Sequence, residues 1–136
     1  MARTVLVDAG FLVALLSRRD AHHSWTEAQL PRHPPPWSTC EAALSEAFHL
    51  LGERGGPALA ALLRRRAVLL TFDLGSEVER VLKLMEKFSN VPMSLADACL
   101  VRMTEALSDP VLLTTDADFR VYRRHSRETL PAVTPE

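Results

Sequence analysis

The chain has 136 residues, of which 47% are hydrophobic and 24% are charged, as in a soluble globular protein of one domain. Its apolar stretches, such as residues 11–16, are too short to cross a bilayer, which excludes a membrane-spanning segment. The net charge of −1 gives no overall attraction to nucleic acid. No secretory signal precedes the first apolar run, so we expect a cytoplasmic protein in which Cys40 and Cys99 are reduced core residues.

The first third of the chain begins with an apolar, β-prone run and continues with helix-like segments. We predict a buried strand over residues 4–7 and a helix over residues 11–17. Asp20 is predicted to cap a second helix over residues 21–30. The prolines of residues 31–36 then end that helix and form a stiff loop.

The middle of the chain contains two more helices, a strand and a further helix. Residues 38–41 have the spacing of a capping box, which predicts a helix from about Thr39 to Gly52. Gly55 begins another helix that ends near Arg66. Residues 67–72 read as an apolar strand, and a helix follows over residues 76–88.

The last third repeats the order of helix and strand. Residues 94–97 have a second capping-box spacing, for a helix that ends near Leu107. A strand is predicted over residues 111–114, Asp118 is predicted to cap a short helix, and residues 129–133 to form an edge strand. Continuous apolar strands that alternate with helices are typical of a parallel sheet covered on both faces. We therefore predict a single α/β domain over residues 1–136, with four to five strands in its sheet.

Carboxylates directly follow two of the predicted strands. Asp8 follows residues 4–7, and Asp116 and Asp118 follow residues 111–114. In an open parallel sheet, ligands bind outside the carboxyl ends of the strands, so these side chains are expected to face one crevice. Several carboxylates in one crevice need a cation, which favours a divalent metal site.

Two helical carboxylates are expected to complete this site. Glu46 lies at the border of the apolar face of its helix, where a carboxylate is costly unless it is paired or metal-bound. Asp97 lies at a helix N-terminus, where capping and metal binding are compatible roles. Glu41 is assigned to the capping box with Ser38, and Asp73 is interpreted as a loop residue.

Oxygen ligands of this kind suit Mg²⁺ or Mn²⁺. Such an ion polarises a phosphate and lowers the pKa of a bound water. Three roles remain open for Asp118: a helix cap, a group that hydrogen-bonds to a metal ligand, or a ligand of a second ion. The residues by themselves thus predict a metal-dependent phosphodiester or phosphoryl hydrolase. The chain has no glycine-rich phosphate loop, no G-x-S-x-G motif and no zinc-ligand spacing among its histidines.

Two arginine clusters offer surfaces for a polyanion. One is Arg64 to Arg66, and the other comprises Arg120, Arg123, Arg124 and Arg127. The alternative for the first cluster is a solvated helix end that interacts with the helix dipole.

Five segments, in this order and spacing, resemble a PIN domain, and within that superfamily the VapC-type toxins of toxin–antitoxin pairs. Each segment is common by itself, but the five together are specific and cover about residues 4–131. They are Val7–Ala9, Asp20–His23, Glu46 within Leu44–Leu51, Ser94–Ala98 and Thr114–Phe119.

The resemblance implies an Mg²⁺- or Mn²⁺-dependent endoribonuclease that acts as the toxin of a type II pair. Its catalytic and metal-binding acids would be Asp8, Glu46, Asp97 and Asp116, supported by Asp118, Ser94 and Thr115. The implied partners are RNA, a cognate antitoxin whose C-terminal segment blocks the site, and a second copy in a homodimer. The contacts with these proteins would be made by apolar residues of the early helices, including Phe11, Leu12, Leu15 and Trp25. The alternative for Phe11, Leu12 and Leu15 is a place in the hydrophobic core.

Two other functions fit the same acidic residues. One is an RNA- or partner-binding PIN module with little or no turnover, and the other is a small-molecule phosphohydrolase. Retained RNA binding without metal-stimulated cleavage distinguishes the first, and hydrolysis of a simple phosphodiester but not of RNA distinguishes the second.

Overall fold

The computed structural model describes residues 3–135, which form a five-stranded sheet, flanking helices and a small hairpin. The sheet contains β1 (Thr4–Val7), β2 (Trp37–Thr39), β3 (Val68–Leu70), β4 (Pro110–Leu113) and β7 (Ala132–Val133). The hairpin pairs β5 (Arg123–Arg124) with β6 (Glu128–Thr129) in antiparallel orientation.

Five α-helices and a short 3₁₀-helix connect these strands. They are α1 (Ala9–Leu16), α2 (His23–Gln29), α3 (Glu41–Arg64), α4 (Leu74–Lys87), α5 (Leu95–Ala106) and the 3₁₀-helix Ala117–Arg120. Helix α3 is interrupted at Gly52, whose φ of 64° favours glycine, so its two helical segments correspond to the two helices predicted on either side of this residue. Across residues 3–135, no helix combines the length and apolar character needed to cross a membrane.

All neighbouring strands of the sheet are parallel, in the order β3-β2-β1-β4-β7. The chain first builds outward from β1 through β2 to β3, and then returns to the other side of β1 with β4. This reversal creates a topological switch point between β1 and β4, where ligands of such sheets bind. Val7 pairs with Leu113, so Asp8 and Thr114 leave the sheet side by side.

Successive residues of the central strands face opposite sides of the sheet. Leu6 and Leu112 belong to the hydrophobic cluster that includes residues of α5, whereas Val7 and Leu113 belong to the cluster that includes residues of α1. Each face of the sheet is therefore covered, which confirms the predicted parallel α/β architecture.

Phe11 and Leu12 are core residues, each fully buried. The Phe11 ring contacts Trp25 and Trp37 edge-on, with ring centroids 6.2 and 5.6 Å apart. Of the two roles considered for this apolar segment, the core role is therefore correct for Phe11 and Leu12. Cys40 and Cys99 are buried free cysteines, as predicted.

The capping box predicted at residues 38–41 is wrong. Ser38 and Thr39 belong to β2, because β1 and β3 pair with this segment on its two sides and bury it. Helix α3 begins only at Glu41, and Cys40 precedes it without a side-chain cap. The role given to Glu41 as a partner of Ser38 therefore has no counterpart in the structure.

Three other element ends differ from the predictions. Asp20 accepts a hydrogen bond from His22 N at 2.8 Å in a local turn, and α2 begins only after His22. The 3₁₀-helix is capped by Asp116 and not by Asp118. The predicted edge strand is split, because residues 128–129 pair in the hairpin and only residues 132–133 join the sheet.

Candidate functional site

Asp8 occupies the switch point between β1 and β4. It is only 6% exposed, and it accepts a hydrogen bond from Phe11 N at 2.8 Å as the N-cap of α1. Its other carboxylate oxygen, Oδ2, accepts a hydrogen bond from the Thr114 hydroxyl. Both carboxylate oxygens are thus oriented by hydrogen bonds. Asp8 therefore caps α1 and also places its carboxylate at the switch point.

Thr114 joins the two strand ends, a role that the sequence did not reveal. Its hydroxyl donates to Asp8 and accepts from Asp116 N at 2.9 Å. Asp116 in turn accepts a hydrogen bond from Asp118 N at 2.9 Å through Oδ1. The only available signal was the position of Thr114 at the end of an apolar strand.

Asp97 lies in the first turn of α5, where the predicted capping box is confirmed. Ser94 N donates to Asp97 Oδ2 at 3.2 Å, and Asp97 N donates to Ser94 Oγ at 3.0 Å. The hydroxyl of the fully buried Tyr122 is shared between the Pro92 carbonyl and Asp97 Oδ2, which lies 3.3 Å away. Tyr122 is a second residue that sequence reasoning missed, since its distance from Asp97 is set only by tertiary packing.

Glu46 faces the same cavity from α3. This cavity has a volume of about 120 Å³, and Asp8, Asp97 and Asp116 also line it, together with apolar residues such as Leu50 and Leu100. Glu46 itself is exposed. The structure therefore brings together all four of the predicted acidic residues, which come from four separate parts of the chain.

Burial and mutual repulsion dominate the electrostatics of this acidic cavity. Burial raises the pKa of Asp8 to about 6, and the charges of Asp116 and Asp97 add to that increase against the hydrogen bonds from Thr114 and Phe11 N. Burial also raises the pKa of Asp97, with a further contribution from Asp116. These carboxylates repel one another when they are ionised, because the cavity is partly desolvated. The cavity therefore favours a bound cation.

The donor set fits a hydrated divalent ion. Within residues 3–135, no three His, Cys, Asp or Glu side chains stand close enough together to hold a metal ion by themselves. Mg²⁺ does not need such a closed cage, because it usually keeps several waters and binds proteins through one or two carboxylates plus substrate phosphate oxygens. Asp8, Asp97, Asp116 and Glu46 offer this kind of open oxygen site.

The supporting residues are placed in three different ways. Ser94 orients Asp97 through the capping box. Thr115 lies against Gly10, where a Cβ would overlap its Oγ1, so glycine permits close packing of α1 on this loop. Asp118 does not line the cavity and contacts Asp116 through its backbone N–H.

The C-terminal arginine cluster is largely used inside the fold. Arg124 donates to the carbonyl oxygens of Thr104 and Leu107 at the end of α5. Arg123 donates to three backbone carbonyls between residues 120 and 122. These two arginines therefore direct part of their donors at backbone carbonyls, while their positive charges remain, and a polyanion surface at this cluster stays a prediction.

Comparisons with known proteins agree with this architecture. Residues 5–124 match the family model described as the PIN domain. A comparison with curated proteins found no match. Among solved structures, the chain is similar to the Mycobacterium tuberculosis toxin VapC20, described as cleaving the sarcin–ricin loop, with 22% identity and a TM-score of 0.74. That similarity covers 87% of this chain and 94% of the toxin, and at this identity it concerns the fold. The family model spans most of the sequence, and the chain belongs to the PIN-domain family.

Proposed function

We propose that the protein is a divalent-metal-dependent endoribonuclease. The observation that carries this proposal is the meeting of Asp8, Glu46, Asp97 and Asp116 in one cavity at the switch point of a parallel sheet. Membership of the PIN-domain family and the fold shared with an RNA-cleaving toxin support it.

Carboxylates of this acidic set, together with water and substrate phosphate oxygens, would hold Mg²⁺ or Mn²⁺. A bound ion would polarise the substrate phosphate and lower the pKa of a water molecule. Thr114 fixes Asp8 relative to the backbone of Asp116 through its two hydrogen bonds. The apolar part of the lining excludes bulk water from one side, which strengthens electrostatic interactions at the carboxylates.

The cellular role that we propose is that of a cytoplasmic VapC-type toxin. In this role the protein acts on RNA as a homodimer and is inhibited by a cognate antitoxin whose C-terminal segment blocks the acidic cavity. The support is the resemblance of the five sequence segments and the similar fold of the VapC20 toxin. A small reading frame next to the gene, coding for a protein with a DNA-binding N-terminus, is the expected genomic sign.

The nuclease activity is tested with labelled RNA and protein freed of metal by EDTA. We expect that Mg²⁺ or Mn²⁺ restores cleavage and that Asp8→Asn and Asp97→Asn lower the rate at least about a hundred-fold, since even indirect supports of metal ligands cost about 10- to 100-fold. The control is Asp73→Asn, which removes an exposed carboxylate outside the acidic cavity.

Other outcomes assign other functions. RNA binding by the native protein without metal-stimulated cleavage would identify a binding module. Hydrolysis of bis(p-nitrophenyl) phosphate with intact RNA would identify a small-molecule phosphohydrolase.

A further inference from the structure

We propose that a second cavity beside the acidic one binds backbone phosphates of the RNA strand through Arg18, Arg19 and Arg54. This proposal rests on the proposed nuclease function and names where its substrate continues beyond the metal site. The second cavity is open, has a volume of about 380 Å³ and lies between the end of α1 and the kinked part of α3. We call it the arginine cavity.

The arginine cavity adjoins the acidic cavity. Leu50 lines both of them, and its side chain is 56% exposed between the two. A strand whose phosphate lies among the acidic residues therefore reaches the arginines by crossing one leucine.

The three arginines carry charge that the described fold does not use. Arg18, Arg19 and Arg54 are exposed, and none of the ion pairs formed within residues 3–135 involves them. A guanidinium group binds phosphate with two parallel N–H donors, which makes arginine the favoured side chain for such contacts. Three such groups around one cavity form a site for a polyanion.

Charge balance explains why the substrate needs this cavity. The whole chain has a net charge of −1, and the acidic cavity repels phosphate in the absence of a cation. Phosphate contacts provide most of the non-specific affinity of proteins for nucleic acids. Local arginines next to the acidic cavity therefore supply an attraction that neither the metal-free acids nor the net charge provides.

A phosphodiester strand fits the two cavities better than an acidic peptide does. Phosphate oxygens are the usual final ligands of a partly hydrated Mg²⁺, so one RNA strand satisfies the arginines and the metal site together. An acidic peptide that extends past Leu50 brings carboxylates toward Asp8, Glu46, Asp97 and Asp116.

Another basic groove, of about 310 Å³ between α4 and α5, is less suited to this role. Its Arg102 is paired with Glu77 at 2.7 Å and with Glu105 at 3.5 Å, and its Lys87 donates to the Ser126 carbonyl at 2.7 Å. This groove also shares no lining residue with the acidic cavity. Its charges mainly hold α4, α5 and the hairpin together.

The proposal is tested by binding of a fluorescein-labelled, single-stranded RNA of mixed sequence, followed by fluorescence anisotropy at several salt concentrations. All variants are made in an Asp8→Asn background, so that cleavage does not disturb the binding measurement. The test variant replaces Arg18, Arg19 and Arg54 with alanine. The control replaces three exposed cations that lie outside both cavities and both arginine clusters, namely Arg32, Arg80 and Lys83, so both variants lose the same charge.

We expect the test variant to bind the RNA at least about ten-fold more weakly than the control at physiological ionic strength. The slope of log affinity against log salt should fall by about 2, since each lost phosphate contact on a single strand contributes about 0.7. Replacement of the same three arginines with lysine should restore most of the salt slope, because the charges remain. Thermal unfolding is recorded alongside, since arginines after a helix also interact with its dipole, by up to about 1 kcal/mol each at exposed positions.

Three results would overturn the proposal: unchanged affinity and slope in the test variant, an equal loss in the control, or arginine-dependent binding of a poly-glutamate peptide that is tighter than that of RNA. The same replacements in the otherwise native protein separate this proposal from the nuclease function. A native protein that cleaves no RNA, but whose Asp8→Asn form binds it through these arginines, contradicts only the nuclease. Cleavage with an unchanged KM after the three replacements contradicts only the arginine cavity.

Discussion

The acidic cavity has two sides that are built in different ways. On the strand side, Asp8 is buried and both of its carboxylate oxygens accept hydrogen bonds, from Phe11 N and from Thr114. On the helix side, Glu46 projects from α3 and is exposed. The carboxylate of Asp8 is preorganised at a cost in stability, whereas that of Glu46 remains solvated and free to adjust. Acids that line one cavity therefore differ in what they cost the folded state.

Replacement of Asp8 by asparagine should give the largest effect. Beyond the loss of cleavage, we expect the metal-free variant to be more stable than the native protein at neutral pH, by up to about 3 kcal/mol. The reason is that burial raises the pKa of Asp8 from an ordinary 3.8 to about 6, and each pKa unit corresponds to about 1.36 kcal/mol.

The sign of this effect follows from proton binding. Between about pH 4 and pH 6 the folded protein holds a proton on Asp8 that the unfolded chain has released, so native stability falls as the pH rises through this window. Urea unfolding in EDTA should therefore show an advantage of Asp8→Asn that is small at pH 4 and has reached its full size by about pH 7. A variant that is equally destabilised at every pH would contradict the assignment of a strained, buried charge.

Replacement of Thr114 by valine should weaken the strand side without removing an acid. The variant leaves Asp8 Oδ2 and Asp116 N without this partner, which should cost about 1–3 kcal/mol in the free energy of unfolding. Cleavage should fall by about 10- to 100-fold, as for other residues that orient metal ligands. Both quantities are measured by urea unfolding and by cleavage at saturating metal.

Thr104→Val is the matched control for that variant. Thr104 is also fully buried, and its hydroxyl donates to Val101 O within α5. We expect it to lower stability but to leave the cleavage rate per folded molecule within about two-fold. If Thr114→Val behaved in the same way, the hydrogen bond between the strand ends would serve folding alone.

Replacement of Glu46 by glutamine should give the smallest effect. Because Glu46 is exposed, the free energy of unfolding should change by less than about 0.5 kcal/mol. Cleavage should fall by about ten-fold, at the lower end of the range for groups near a metal. Glu41→Gln, on the same helix but outside the acidic cavity, provides the control. A stability gain equal to that of Asp8→Asn would remove the distinction between the two sides.

Local signals predicted much of the fold and named every acid that lines the cavity. Asp8 and Asp116 were found because each follows an apolar strand. Asp97 was found because it lies at a helix N-terminus, where a metal ligand is compatible with the cap that the structure contains. The capping box predicted at β2 was wrong because the local signal was misleading there. A three-residue strand carries little pattern of its own, and Ser38 resembles a helix cap until β1 and β3 pair with the segment.

Contacts between side chains that lie far apart in the sequence could not be predicted from it. The bond between Thr114 and Asp8 joins residues 106 positions apart, and it exists because the register places Val7 opposite Leu113. The arginines show the same limit, since charge density in the sequence favoured the C-terminal cluster. Arg123 and Arg124 direct part of their donors at backbone carbonyls of the fold.

The class of fold, the order of its main elements and the acidic residues of the site were predictable from the sequence, because periodicity, caps and strand ends are local properties of the chain. The donors that orient those acids, the acid that is buried at a cost and the arginines that lie free beside the cavity became visible in the folded protein. These properties depend on strand register and on packing between distant segments, and both arise only when the whole chain has folded.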